Sequence, residues 1–445
     1  MSVKEVIRVG CGSAYADDDL RPAFELAEKG NLDYICFDCL AERTLALAQL
    51  RRLNDPSKGY DLRLDELVGS FLPFVNKGLK IIGNMGAANP HGALERAKEI
   101  AKKLDISNAR IIAIEGDDVL DVIRELDPVV EETGSKLSQL EGKLVSANAY
   151  IGAQPIVEAL YEGANFIIGG RIADPSLFLA PLMFEFNWDR EDWDKLAQGT
   201  AVGHLLECGT HVTGGNFADP PYRIVPGLDD LGMPYADVYA NGNAVISKLP
   251  EAGGLVTTHT CKAQLVYEVH DPKAYITPDV TCDFSNIAVE QVSRDQVHVN
   301  GAKGTKAPTR LKVLLGVQEG YIGEGEFSLA GPGAYERAQL ALDVLKRRFE
   351  RFYKGKEKDI RFDLIGVNSI HGPASPKPIN PPYEVRVRIA IRTDDRKTAE
   401  AWAREAEWQY FGPSGCGGIR MAVRQVIAMY STYIDRDMVK IRLVK

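Results

Sequence analysis

Several features are missing from this 445-residue chain, and each absence removes a class of function. No apolar run approaches the roughly 20 residues that a membrane span requires, so no transmembrane segment is expected. There is no basic excess either: 53 Lys and Arg stand against 62 Asp and Glu, giving a net charge of −9. Nucleic-acid binding needs clustered cations to neutralise phosphates, and it is not expected here. The cluster Lys346-Arg347-Arg348 with Arg351 reads as the solvated face of an amphipathic helix. The phosphate-binding pattern GxxxxGK(S/T) does not occur. Cysteine is scarce and odd in number; seven scattered residues read as reduced thiols, not as a disulfide framework. The first residues, MSVKEVIRVG, enter a strand at once without a signal-peptide layout, so the expectation is a soluble, cytoplasmic protein.

What is present is a repeated arrangement of strand, polar cluster and helix. Short apolar β-type runs at 5–10, 33–38, 79–83, 110–115, 143–148 and 165–169 end in clusters rich in Gly, Asn and acids. Each is nearly continuous in apolar character, as a strand buried on both faces should be. Helical patterns follow at about 22–30, 41–53, 65–77, 91–104, 117–125, 153–162, 176–187 and 190–207. The alternation predicts an α/β fold, with a mainly parallel sheet of about six strands and helices on both faces. A turn-rich passage from about 215 suggests a boundary, giving an α/β domain over 1–240 and an α+β domain with antiparallel strands over 241–445. In the second part GGLVTTHT, AQLVYEV, VHVNGA and RLKVLLGV read as strands, and a helix is expected over about 333–352. Strands at 361–368 and 383–392 follow, then a helix at 396–410, the glycine-rich loop 412–418, another helix and a strand at 438–444.

Ligands bind at the carboxyl ends of parallel strands, so the polar clusters mark one sheet edge as a small-molecule site. Gly10-Cys11-Gly12 resembles the start of a dinucleotide loop, with Asp38 at the end of the next strand. However, Tyr15 replaces the third glycine, and Asp17, Asp18 and Asp19 would repel a pyrophosphate, so no nicotinamide or flavin cofactor is expected. Cys36 and Cys39 form a lone CxxC with no second ligand pair, and buried thiols are the simpler reading. Gly169-Gly170-Arg171-Ile172-Ala173-Asp174-Pro175 joins the last parallel strand to an apolar helix. Gly170 lets backbone approach a ligand, Arg171 can grip a carboxylate and Asp174 can exchange a proton, although Asp174-Pro175 is also a good helix start. His204, Glu207 and Cys208 share one helix face, which suits an acid/base pair, a metal site or a packed helix alike. Gly214 and Asn216 belong to a small-residue loop just beyond. Asn84, Asn89, Asn148 and Tyr150, with Asp17, stand at neighbouring strand ends and are expected on the same pocket rim.

The stretches DYICFDCLAERTLALA, SANAYIGAQPIVEAL, ANFIIGGRIADPSLFLAPLMFEFNW, GHLLECGTHVTGGNF and AYITPDVTCDFSNI, in this order, resemble the acyclic terpene utilisation (AtuA-like) family over nearly the whole chain. The resemblance implies a role in catabolism of branched or terpenoid acids, alongside enzymes acting on acyl-CoA. Many relatives carry an extra ferredoxin-like domain of about a hundred residues, a usual small-domain size. No copy is evident here, which implies a separate small partner. GCGSAYADDD departs from the family's GASGFWGDS-like first loop, and GRIADPS from GRCVDSA. Arg171 and Asp174 carry over, whereas His211 falls where glutamine is usual.

These readings combine into an expectation of a cofactor-independent lyase. It would be a hydro-lyase (hydratase or dehydratase) acting on a short or branched carboxylic acid or its acyl-CoA thioester. Asp174 or Glu207 would serve as base and His204 as acid, with Arg171 and strand-end amides on the carbonyl. The alternatives are a non-catalytic acyl-CoA- or acid-binding subunit that needs its small partner, and a metal-assisted hydrolase using His204 and Cys208. No resident metal is expected, and a homo-oligomer is.

Overall fold

The computed structural model describes residues 4–413 and 415–445. The chain divides into two compact units. The first holds the residues up to Gln139 together with Val145–Gly316 and Met429–Lys445. Its early strands are β1 (Val6–Ser13), β2 (Tyr34–Phe37), β3 (Lys80–Gly83), β4 (Ile111–Glu115), β5 (Lys143–Ala149) and β6 (Phe166–Gly169). Further along come β7 (Pro234–Tyr239), β8 (Ala244–Lys248), β9 (Tyr275–Ile276), β10 (Thr281–Asp283), β11 (Ala288–Ser293), β12 (Gln296–Asn300) and β13 (Lys303–Thr305). Of the later strands, β14 (Arg310–Ala330) and β17 (Cys416–Asp435) run through both units. Strands β15 (Asp359–Ile365) and β16 (Glu384–Thr393) lie in the second, and β18 (Arg442–Val444) returns to the first.

A ten-stranded mixed sheet organises the first unit, in the order β11-β12-β8-β7-β1-β2-β3-β6-β4-β18. Its centre, β1-β2-β3-β6-β4, is parallel, and every other pairing is antiparallel. Four-residue strands such as YICF and FIIG are buried throughout, which is why they read as unbroken apolar runs. Helices α1 (Leu20–Lys29), α2 (Glu42–Asn54), α3 (Leu64–Phe71), α4 (Pro90–Lys103), α5 (Leu120–Leu126), α6 (Gln154–Tyr161), α7 (Asp174–Glu185) and α8 (Trp193–Glu207) connect them. Helices α1, α3 and α4 pack together in one group and α6, α7 and α8 in another, each against the sheet.

All six expected strands form, but five of them share the parallel sheet. The sixth, β5, pairs with β14 instead. Apolar periodicity identifies a strand and leaves its partner to tertiary contacts. The expected boundary near 240 also differs from the observed division. Strands β7 and β8 and the later β11, β12 and β18 extend both edges of the first sheet, because its outer parallel strands still offer unpaired backbone groups.

AQLVYEV was expected as a strand, yet Thr258–Leu265 is helix α9. A reciprocal capping box between Thr257 and Thr260 starts it, and this local bonding overrides the β-type composition.

The second unit comprises Leu140–Leu144 and Val317–Ala428. Helix α10 (Ala334–Phe352) and the shorter α11 (Arg396–Ala403) lie on strand β16, which pairs antiparallel with β14 and β15. In EVRVRIAIRT the period is two: Val385, Val387, Ile389 and Ile391 enter a core with Phe327, Leu345, Phe349 and Trp402. Arg386 and Arg388 point the other way, to Glu326 and Asp363. A short helix, α12 (Glu405–Trp408), follows. Beyond it the expected helix is instead the long strand β17, so the glycine-rich loop joins helix to strand; its Ser414 lies outside the described residues. The β-branched and aromatic content of VRQVIAMYSTYID explains the outcome.

Asn89 proves to be an architectural residue. Its Oδ1 accepts the Gly92 N–H at 3.0 Å as the N-cap of α4, and its Nδ2 donates to the carbonyls of Pro56 and Lys58. Asn89→Ala should lower the free energy of unfolding by about 1 kcal/mol or somewhat more, because cap and loop bonds go together. Chemical denaturation would read this.

Candidate functional site

The carboxyl ends of β1, β2 and β6 and the C-terminus of α8 enclose a cavity of about 510 Å³. Ala14, Tyr15 and Asp18 come from the turn after β1, and Asp38, Leu40, Ala41 and Glu42 from the turn into α2. Arg171 and Asp174 follow β6, Glu207 and Cys208 end α8, and His211, Gly215 and Asn216 close the rim. Strand-end turns from distant parts of the sequence thus converge, as open parallel sheets require.

Arg171 is the centre of this arrangement, and only 2% of its surface is exposed. Its Nη1 donates to the Leu40 carbonyl at 2.8 Å and its Nη2 to Asp174 Oδ1 at 2.8 Å. The guanidinium lies 4.2 Å from the centroid of the Tyr150 ring, a cation–π contact in a dry setting. The Arg171 backbone N–H donates to Asp117 Oδ2 at 2.9 Å, and Asn148 Nδ2 donates to the same oxygen at 2.8 Å. Asn84 works one residue further out: its Nδ2 donates to Asp38 Oδ1 at 2.7 Å while its Oδ1 accepts the Cys39 N–H at 2.6 Å. Tyr150 completes the ring with a hydroxyl bond to Glu42 Oε1 at 2.9 Å.

One guanidinium cannot hold every neighbouring carboxyl ionised. Burial pushes Asp38 up to about 6, against the pull of Arg171 and the bonds from Asn84 and the Leu40 amide. Asp117 is likewise raised by burial to about 6. Asp174 goes well above the usual carboxylate range, driven by burial and then by Asp38 and Glu207, with Arg171 opposing. Burial acts on Glu42 as well, but its backbone amide, Arg171, the Tyr150 hydroxyl and Lys312 outweigh it and hold Glu42 low. Protonated and ionised carboxyls therefore face one another across a single cavity.

The expected N-cap role of Asp174 is not the observed one. Ala173 occupies that position, without a side-chain cap, and Asp174 is the first residue of α7, turned to Arg171. Glu207 Oε1 meets His204 Nδ1 at 2.6 Å, so the shared helix face does bring these two together. His204 itself is buried beside the Tyr275 and Phe284 rings and does not line the cavity. Glu207 Oε2 is buried without a hydrogen-bond partner. Gln264, unnoticed in the stretch read as strand, donates to the His204 carbonyl at 2.7 Å and also meets His211 Nδ1. Cys208 lines the cavity, but burial raises its thiol far above the thiolate range. Among the described residues, no group of three or more His, Cys, Asp or Glu is placed to hold a metal ion.

Other expected site residues act around the cavity instead of in it. Asp17 is exposed, and its neighbour Asp18 takes the wall position, accepting the Ala14 N–H at 2.8 Å. Gly170 is needed because a Cβ there would lie 2.3 Å from an Asp117 oxygen. Gly214 supplies a left-handed turn (φ 105°) that presents Gly215 and Asn216 to the rim. The residues that sequence reasoning missed are Asp38 as a site acid, Glu42, Asp117 and Gln264. Asp38 and Asp117 carried a usable signal, since Asp38 directly follows β2 and Asp117 lies two residues past the end of β4.

Two outcomes follow. Arg171→Ala strands several buried carboxyls without a cation, so it should destabilise the fold by about 3–5 kcal/mol, read as a shifted denaturation midpoint. A substitution at this position thus perturbs the scaffold. Asp117 has a folded pKa raised above its unfolded value, so its ionisation penalises the native state increasingly as pH rises from about 4 to about 6. The penalty is absent below that window and complete above it. Asp117→Asn should remove a stability loss on the order of 2–3 kcal/mol between those limits, measured as the wild-type-minus-variant difference in denaturation at each pH.

No curated protein and no solved structure matches this chain. The sequence model described as acyclic terpene utilisation family protein AtuA matches residues 7–444, nearly end to end. The chain therefore belongs to the AtuA family.

Proposed function

We propose that this protein is a cofactor-independent hydro-lyase acting on a short or branched carboxylic acid or its thioester. The observation that carries the reading is the pairing of Asp174, raised well above the carboxylate range, with Glu207, whose Oε2 is buried and unpartnered, on one cavity wall. Elimination of water needs both a base and an acid within reach of adjacent carbons. Glu207 removes the proton from the carbon next to the carbonyl. The electron pair moves into the carbonyl as an enolate, which the Arg171 guanidinium stabilises. Re-formation of the carbonyl expels the β-hydroxyl, and Asp174 gives its proton to that oxygen, so water leaves and the double bond forms. Hydration runs the same steps in reverse.

His204 acts through Glu207 as a positioning residue. The walls also carry Asp18, Glu42 and Glu268. That acid-rich lining favours a substrate without phosphate groups inside the cavity.

Glu207→Gln and Asp174→Asn should each reduce turnover of a 3-hydroxyacyl substrate by about 10²–10⁴-fold, followed by absorbance of the unsaturated product. Asp174 must be protonated to act as the acid in dehydration, so that rate should fall as pH rises through its elevated pKa. Undiminished turnover in Glu207→Gln would reject the assignment.

A further inference from the structure

We propose that His211 is a further acceptor in the strand-end cavity: its Nε2 takes a hydrogen bond from a hydroxyl of the ligand. Gln264 is the positioning residue that keeps this nitrogen unprotonated. The proposal deepens the hydro-lyase reading and rests on it only for naming that hydroxyl as the leaving group. A chain of bonds behind the cavity wall sets the polarity. The Cys208 N–H that ends α8 turns to the Leu206 carbonyl, and the His204 carbonyl takes its hydrogen bond from Gln264 Nε2 at 2.7 Å. A carbonyl only accepts, so the amide nitrogen of Gln264 is fixed on this side and its oxygen on the other. That oxygen, Oε1, meets His211 Nδ1. An amide oxygen also only accepts, so Nδ1 carries the proton of the neutral ring and Nε2 carries the lone pair. Gln264 is fully buried, so water does not compete for either bond.

The outer edge of the ring is placed for use. His211 is half-buried and lines the cavity, and its Nε2 has no hydrogen-bond partner among the described residues. Tyr267, another wall residue, packs edge-on against the imidazole with 4.8 Å between centroids and so holds the ring plane. A free imidazole side chain favours the proton on Nε2, and the buried amide reverses that preference. A hydroxyl has one hydrogen to give and two lone pairs to offer. With Asp174 donating to a lone pair, as the proposed elimination requires, the hydrogen needs an acceptor of its own. As the Asp174 proton arrives, the leaving oxygen loses electron density and its O–H becomes a stronger donor. The bond to Nε2 therefore tightens towards the transition state.

The test reads the imidazole directly, by nitrogen NMR of the intact protein with isotope-labelled histidine rings. It is run at about pH 9, well above the ordinary histidine value of about 6.5. The signal missing from His211→Asn identifies His211. In the native protein Nδ1 should be the protonated nitrogen. Gln264→Leu should move the proton to Nε2, a change that a purely structural Gln264 would not produce. The probes are N-acetylcysteamine thioesters of hydroxypivalic and pivalic acids, which are uncharged, differ by one hydroxyl and have no hydrogen next to the carbonyl to eliminate. The hydroxylated probe alone should displace the Nε2 signal, and by calorimetry it should bind about five- to tenfold tighter than the other. His211→Asn keeps an N–H for Gln264 but does not extend to the Nε2 position, so it should erase that preference. A proton on Nε2 in the native protein, equal Nε2 shifts from the two probes, or no detectable binding of either would overturn the proposal. So would a preference that survives in His211→Asn, which would assign the hydroxyl to a wall carboxylate. Neither probe can be dehydrated, so these outcomes stand apart from the hydro-lyase assignment, which turnover by the Glu207 and Asp174 variants decides.

Discussion

A single buried cation holds the strand ends together. Arg171 bonds the turn after β2 through the Leu40 carbonyl and the start of α7 through Asp174, and it stacks on Tyr150 beyond β5. Through its backbone N–H it also fixes Asp117 after β4, and Asn148 shares that carboxylate. Burying a guanidinium is unfavourable unless its charge and its donors are answered. Here several carboxyls answer it at once, and the turns that carry them take their positions as a consequence.

The same arrangement creates the chemical potential of the site. Surplus carboxyls in a desolvated place share too little positive charge, so some of them retain protons near neutrality. A wall that carries both protonated and ionised carboxyls can deliver and accept protons without metal or cofactor. Glu207 differs from the rest because its partner is His204, which is buried and shielded by aromatic rings.

Much of this was legible in the sequence, and the limits have physical causes. Short apolar runs ending in Gly, Asn and acids located the strands and the sheet edge that carries the cavity, because parallel strands buried on both faces leave that pattern. Arg171 and Asp174 were visible as candidate residues after a strand end, and Glu207 at the end of helix α8. The partner of β5 was not visible, since pairing depends on β14, some 160 residues further along the chain. Glu42 also escaped notice: nothing in ERTLALAQ distinguishes an acid that caps a cavity from one in an ordinary first helical turn. His204 was expected as an acid paired with Glu207; the pair forms, but the ring is buried away from the cavity lining, because spacing along a helix gives proximity and not access. Asn89 shows the reverse case, a helix cap in the polar cluster after β3 that was read as a ligand donor.

Charge bookkeeping also bears on direction. In the proposed reaction, hydration and dehydration would pass through the same transition state, so one set of groups would serve both, with Glu207 and Asp174 exchanging roles. Dehydration begins with Asp174 protonated and Glu207 ionised, and hydration begins with that proton distribution inverted. Burial and the flanking Asp38 and Glu207 charges favour the protonated form of Asp174 in the resting cavity. Under the proposed reading, a protonated Asp174 is the form that dehydration requires.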